Sequence, residues 1–154
     1  MDVNGQVEPT YYNSVYRHGV DEKRRVQIPA MWRPAASGVQ FTVVYWPQHN
    51  EGACLRVLPP SQMAKLLAEI NAMSNDNPKK TSMKRVIGSH SVQVDLDKAG
   101  RICIPDTMAR EAGIKGEAVL VGLLDRFEIW NPERLERVKA ADAVLTTDVF
   151  KLME

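Results

Sequence analysis

DEKRRVQIP (residues 21–29) and DKAGRICIP (residues 97–105) decide the fold, because the second restates the first 76 positions later. Asp21 aligns with Asp97, Arg25 with Arg101, Val26 with Ile102, Ile28 with Ile104 and Pro29 with Pro105. Further along, LRVLPP (residues 55–60) aligns with FEIWNP (residues 127–132) at an offset of 72, a four-residue change that one longer loop produces. The elements keep the same order in both halves. Duplication of one small β-rich unit is the simplest reading.

The local pattern fills in that unit. Val92, Val94 and Leu96 alternate with polar residues, as a half-buried strand requires. DKAG then turns the chain, with Gly100 free to take a positive φ, and Ile102 and Ile104 resume the alternation. The result is a hairpin with Asp97, Lys98 and Arg101 at its tip. Pro105 ends the strand and opens a short helix, DTMAREA, which Gly113 closes. AVLVGLL reads as an apolar strand, Asp125-Arg126 as a turn and FEIW as the antiparallel partner. The first half repeats this order with VYRHGV, a turn, RVQIP, a short helical PAMWR, FTVVYW, a longer loop and CLRVL.

Helices follow each unit. Pro60-Ser61 starts one that ends near Met73 and carries Met63, Leu66, Leu67 and Ile70 on one stripe. Asn131-Pro132-Glu133 starts another, with Leu135, Val138 and Leu145 on one face. SNDNPKK reads as a linker between the halves, followed by a short amphipathic helix around Met83, Val86 and Ile87. The repeats then span residues 12–73 and 82–145, and residues 1–11, without periodicity, form a flexible N-terminal tail.

Composition narrows the class. The chain has 154 residues, 44% of them hydrophobic and 25% charged, enough to bury a core without staples. Cys54 and Cys103 stand alone among apolar neighbours, which suits reduced cysteines acting as small hydrophobes. The N-terminus lacks a basic head and an apolar run, and the longest apolar stretch is too short to span a bilayer. These features predict a soluble, cytoplasmic protein with no membrane partner. The formal charge of +1 is not the footprint of a simple nucleic-acid binder, so any such contact has to come from local clusters. Arg17, Lys23, Arg24 and Arg25 form one cluster; Lys79, Lys80, Lys84 and Arg85 form another.

From Tyr12 to Val138 the chain resembles the MraZ family of duplicated SpoVT–AbrB-type domains. The first half carries Y-x-S-x-Y-x-H-x-V-D-x-K-x-R-V-x-I-P (residues 12–29). The second carries D-x-x-G-R-I-x-I-P, then AGI (residues 112–114), VLVG (residues 119–122) and FEIW. Two D-x-x-x-R motifs, each leading into I-P, make the match specific. The resemblance implies a mainly β fold with short helices (α+β), in which two tandem swapped-hairpin units form one pseudo-symmetric interlocked barrel. It also implies a transcriptional regulator that forms ring-like homo-oligomers and associates with the nucleoid. Its partner would be double-stranded DNA, at short tandem repeats upstream of a division and cell-wall gene cluster that includes its own promoter. Two positions depart from the family pattern: Arg24 and Ser14 stand where glycine is usual. A left-handed residue at Arg24 costs about 1–2 kcal/mol.

On this reading Arg25 and Arg101 contact DNA, since a planar guanidinium grips a phosphate or a guanine edge with two N–H groups. Asp21 and Asp97 organise the loops by accepting backbone N–H groups, and Gly100 supplies the turn. Lys23, Arg24 and Lys98 are assigned to phosphates. Arg17 and the Lys79 to Arg85 cluster are assigned to solvent or to subunit contacts. Taken without the duplication and the resemblance, each D-x-x-x-R reads as a salt bridge holding a hairpin. His18, His49 and His90 are scattered, and no H-E-x-x-H, G-x-S-x-G or P-loop is present. No catalytic residue, metal ligand, cofactor or small-molecule substrate is therefore assigned. Two other classes stay open: an AbrB-like antitoxin module that binds a toxin, and a ring scaffold that binds protein rather than DNA.

Overall fold

Strand alternation sets the frame of the computed structural model, which describes residues 8–9, 11–47 and 50–154. The expected tail over residues 1–11 therefore falls mostly outside the described residues, as does His49. Glu8, which is described, is tied down: its carboxylate accepts from the backbone and hydroxyl of Ser61.

Among the described residues eight strands form, in chain order: β1 (Val15–Gly19), β2 (Arg25–Gln27), β3 (Gln40–Trp46), β4 (Cys54–Leu58), β5 (Ser91–Asp95), β6 (Arg101–Cys103), β7 (Glu117–Gly122) and β8 (Phe127–Trp130). Six of them make one antiparallel sheet in the order β1-β7-β8-β4-β3-β5, and β2 pairs with β6 in a separate ribbon. Only β3–β4 and β7–β8 are pairings within a half. Tyr16 lies opposite Leu120, Val43 opposite Val92, Leu55 opposite Ile129 and Val26 opposite Ile102, each across the two halves. Neither half completes a sheet without the other.

The hydrogen-bonded sheet is open rather than a closed barrel. Each ribbon strand is three residues long and runs into Pro29 or Pro105, whose missing N–H stops the ladder. An isolated Val20–Val26 bridge, just past the end of β1, joins it to the ribbon strand β2.

Both halves fill one core. Val26, Ile28, Phe41, Val43, Leu55 and Val57 meet Ile102, Ile104, Leu120, Phe127 and Ile129, all fully buried. Trp32, delivered by a 3-10 turn (Ala30–Trp32) after Pro29, lies 4.8 Å from Phe127 and edge-on to Tyr16 at 5.2 Å. Its indole N–H donates to the carbonyl of Asn13, 3.1 Å away, so this large side chain is buried with its hydrogen bond kept. Each such side chain contributes about 1.5–3 kcal/mol.

Among the described residues there are five helices: α1 (Pro60–Asn71), α2 (Pro78–Ser89), α3 (Asp106–Glu111), α4 (Pro132–Asp142) and α5 (Thr146–Leu152). Two differ from the sequence reading. The linker is shorter than SNDNPKK, because Asn77 caps α2 by accepting from the Lys79 N–H and Pro78 occupies the first turn. Leu145 does not share a buried face with Leu135 and Val138. After α4 ends at Asp142, a 3-10 turn (Ala143–Leu145) redirects the chain, and Leu145 is exposed. Cys54 is buried as expected, but Cys103 is exposed and faces the carbonyl of Lys23. No described helix is long and apolar enough to cross a membrane.

Candidate nucleic-acid interface

Each D-x-x-x-R segment closes on itself through its own backbone. In the first, the Arg24 N–H donates to the Asp21 carbonyl at 2.9 Å and the Asp21 N–H to the Arg25 carbonyl at 3.3 Å. In the second, Gly100 donates to Asp97 at 3.0 Å and Asp97 to Arg101 at 2.9 Å. The last loop residue adopts the left-handed conformation that this turn requires, φ +62° at Arg24 and +81° at Gly100. Ser14, the other departure from the family pattern, also has a positive φ, +82°.

The aspartates pin the turns. Oδ1 of Asp21 accepts from the backbone of Lys23 (3.0 Å) and Arg25 (2.8 Å), and Oδ2 accepts from Nε of Arg25 at 2.6 Å. Asp97 repeats the set with Ala99 and Arg101 backbone N–H groups at 2.9 Å each and Nε of Arg101 at 3.0 Å. Those backbone donors, foremost the Arg25 and Arg101 N–H groups, hold both carboxyls below the usual aspartate range. The facing guanidiniums add to the effect, while desolvation opposes it.

The ribbon then sets the two hairpins side by side about a local two-fold centred on the Val26–Ile102 pair. Ile28 donates to the Gly100 carbonyl and Ile104 to the Arg24 carbonyl, both at 2.9 Å. Side chains follow the same symmetry: Nε2 of Gln27 donates to Ala99 (2.8 Å) and Sγ of Cys103 to Lys23 (3.3 Å). Arg25 and Arg101 thereby line one shallow cleft of about 330 Å³ with Asp21 and Gln27. Their side chains are about one-third exposed. Nη1 of Arg101 lies 3.8 Å from Asp21 of the other hairpin, which draws the two tips into one surface.

The remaining candidates separate. Lys23 and Lys98 are exposed on the loop tips. Arg24 is spoken for: its Nε donates to the Ile104 carbonyl at 3.0 Å and Nη1 lies 4.0 Å from Asp106. Arg17 forks onto Glu117 with two bonds of 2.9 Å. The Lys79 to Arg85 cluster lies on α2, where Nζ of Lys80 bonds Asn71, Met73 and Asn75. His18 stacks on Tyr16.

Sequence reasoning missed Arg33. Its Nε donates to the Ile28 carbonyl at 2.8 Å, and its guanidinium covers Gly100 so closely that a Cβ there would come within 2.4 Å of Cζ. It also missed Gln27 and Cys103 as the bonds between hairpins. Nothing local announces these bonds, because they depend on the register between strands 76 residues apart.

Known proteins resemble the chain over most of its length. A family model described as "MraZ protein", with an antitoxin-like qualifier, matches residues 87–148. A "Transcriptional regulator MraZ" of Roseiflexus castenholzii is 32% identical over 141 residues, 90% of this chain and 94% of the relative. That of Leuconostoc citreum is 31% identical over 134 residues, covering 87% and 90%. That of Shewanella frigidimarina is 32% identical over 111 residues, covering 72% and 73%.

Proposed function

The chain belongs to the MraZ family, and from that membership together with its paired hairpins we propose that it is a sequence-specific DNA-binding transcriptional regulator. It has no catalytic role on this reading, since the relatives are named for regulation of transcription. The observation that carries the proposal is the cleft in which the ribbon brings Arg25 and Arg101 together, each arginine oriented by its own aspartate.

Arg25 and Arg101 use their Nε edge on aspartate and turn their terminal nitrogens to phosphate or base edges, while Lys23 and Lys98 meet phosphates. Asp21 and Asp97 hold the loops, and Gly100 gives the second loop its turn. Arg24 serves phosphate only with what its bond to Ile104 leaves over. The repeats over residues 12–73 and 82–145 interlock through the strands they exchange, and several copies assemble into a ring-like homo-oligomer. One chain offers two such arginines, a weak grip at a net charge of +1. A ring repeats the pair, so tandem DNA repeats gain avidity that no single contact supplies. The target is short repeats upstream of a division and cell-wall gene cluster, the protein's own promoter included, which places it on the nucleoid in the cytoplasm.

A second reading has one observation in its favour. Bonds of 2.6 and 3.0 Å between each arginine and its aspartate are what a purely structural hairpin clamp would also show. Fluorescence anisotropy with a labelled duplex from upstream of the protein's own gene separates the two. The proposal predicts saturable binding that prefers this duplex over a shuffled one and weakens steeply with salt. Equal binding to both duplexes, or none at physiological salt, contradicts it.

A further inference from the structure

Alternation along the ribbon sorts its side chains by face. Val26 and Ile102 belong to the core and are fully buried, so Arg25 and Gln27 on β2 and Arg101 and Cys103 on β6 stand on the outer face. The register sets Arg25 opposite Cys103 and Gln27 opposite Arg101. The two guanidiniums therefore take one diagonal of a small outer patch and obey the local two-fold. The other diagonal breaks it, with an amide at one end and a thiol at the other. Gln27 lines the cleft together with both arginines. Each end of this second diagonal also ties the hairpins: Nε2 of Gln27 to the Ala99 carbonyl at 2.8 Å, and Sγ of Cys103 to the Lys23 carbonyl at 3.3 Å. A thiol makes the tie on its own side, so the tie does not by itself call for an amide.

We propose that Gln27 is a specificity-determining residue of this interface and reads the major-groove edge of an adenine. The inference rests on the DNA-binding reading above. The major groove admits a two-stranded ribbon, and side chains on the outer face of such a ribbon then meet base edges. A carboxamide has two N–H donors and a carbonyl acceptor. The Ala99 carbonyl takes one N–H of Gln27 and holds the side chain in place, as the aspartates hold the arginines. The second N–H and Oε1 make a donor and acceptor pair that complements N7 and the N6 amino group of adenine. Guanine offers two acceptors on the same edge, which suit the neighbouring guanidiniums instead. At the other end of the diagonal, the Cys103 thiol carries a single weak donor and cannot answer both adenine groups. The patch therefore reads adenine through β2 alone, and each chain sits on its site in one direction although its arginines are related by a two-fold.

The test titrates the full-length protein against the duplex from upstream of its own gene and against a set in which each A·T pair in turn becomes G·C. At one A·T position of each bound repeat, the change should weaken the wild type by about 5- to 150-fold. Gln27→Ala should be indifferent at that position and discriminate like the wild type everywhere else. An adenine analogue without N7, placed there, should weaken the wild type and leave Gln27→Ala unmoved. Gln27→Arg should come to prefer G·C at the same position, a reversal that a residue serving only to tie the hairpins cannot produce. Thermal melts followed by circular dichroism should show both variants folded, and if Gln27→Ala is not, the base preference of Gln27→Arg decides alone. Variants that discriminate at every position as the wild type does, or that weaken on all duplexes by one common factor, overturn the role of Gln27 and leave the DNA-binding reading standing. A wild type that binds all the duplexes equally, or none of them, overturns both.

Discussion

The two hairpins share a backbone turn and part ways at its left-handed residue. In the second, Gly100 takes the left-handed position and leaves room for Arg33, whose guanidinium lies over it and reaches the Ile28 carbonyl. In the first, Arg24 takes that position and sends its own guanidinium to the Ile104 carbonyl. Ile28 and Ile104 are the same place in the two repeats. Each of these carbonyls receives a guanidinium, but from a different part of the chain. Position 109, which lies 76 residues after Arg33, holds a buried alanine and cannot supply the second one. The unusual arginine at position 24 thus offsets its backbone strain with a hydrogen bond between the halves.

The largest effect should come from making the second hairpin like the first. Gly100→Arg forces a side chain into the left-handed region and displaces Arg33, so it should cost about 2–3 kcal/mol. At roughly 2–4 °C per kcal/mol for a chain of this size, thermal unfolding should fall by about 5–10 °C. Unchanged melting would mean that Arg33 does not occupy that space. A smaller effect is expected from Arg24→Ala, which keeps part of the strain and removes the bond to Ile104, at about 1 kcal/mol. Arg24→Gly should come out near zero, because about 1 kcal/mol of relieved strain cancels the missing bond. Differential scanning calorimetry on the three variants gives the order directly, and a destabilisation by Arg24→Gly as large as that by Gly100→Arg breaks the comparison.

The mildest difference should appear in acid, where the hairpins ought to behave alike. Asp21 and Asp97 both titrate below their ordinary value of 3.8. Carboxyls with lowered folded values stabilise fully above the unfolded value and lose that stabilisation as the pH falls through the folded one. Stability from both loops should therefore be intact at pH 5 and decline below about pH 4. Asp21→Asn and Asp97→Asn should each flatten this acid limb to a similar extent. Acid melts that separate the two variants widely would show that the loops are not equivalent.

Much of this was legible in the sequence because it is local. The alternation of Val92, Val94, Ile102 and Ile104, the prolines at 29 and 105, and aspartate four residues before arginine each specify a short element with its own geometry. The open sheet was not legible, because the length of a ribbon is decided by which strands meet. Nor was the break before α5. Leu145 fits the period of Leu135 and Val138, and only the 3-10 turn at Ala143 removes it from that face. Arg33 reads as an ordinary surface residue until the register places it against Gly100. In the candidate site, Arg25, Arg101 and their aspartates could be read from the repeat. The bonds by Gln27 and Cys103 that hold the hairpins together could not.

The central claim is that Arg25 and Arg101 contact DNA rather than hold the fold. Its most direct test measures the affinity of Arg101→Ala for the upstream duplex across a salt series, beside its melting temperature. An ion pair this exposed is worth about 0–1 kcal/mol, so the melting temperature should move by no more than a few degrees. Affinity should fall severalfold or more. If the arginine holds a phosphate, the slope of log K against log salt should flatten by about 0.9 for each phosphate it no longer neutralises. If it reads a base edge, sequence preference should relax instead. Unchanged affinity, or a protein that unfolds without the arginine, would contradict the account and leave the hairpin clamp as the role of both motifs.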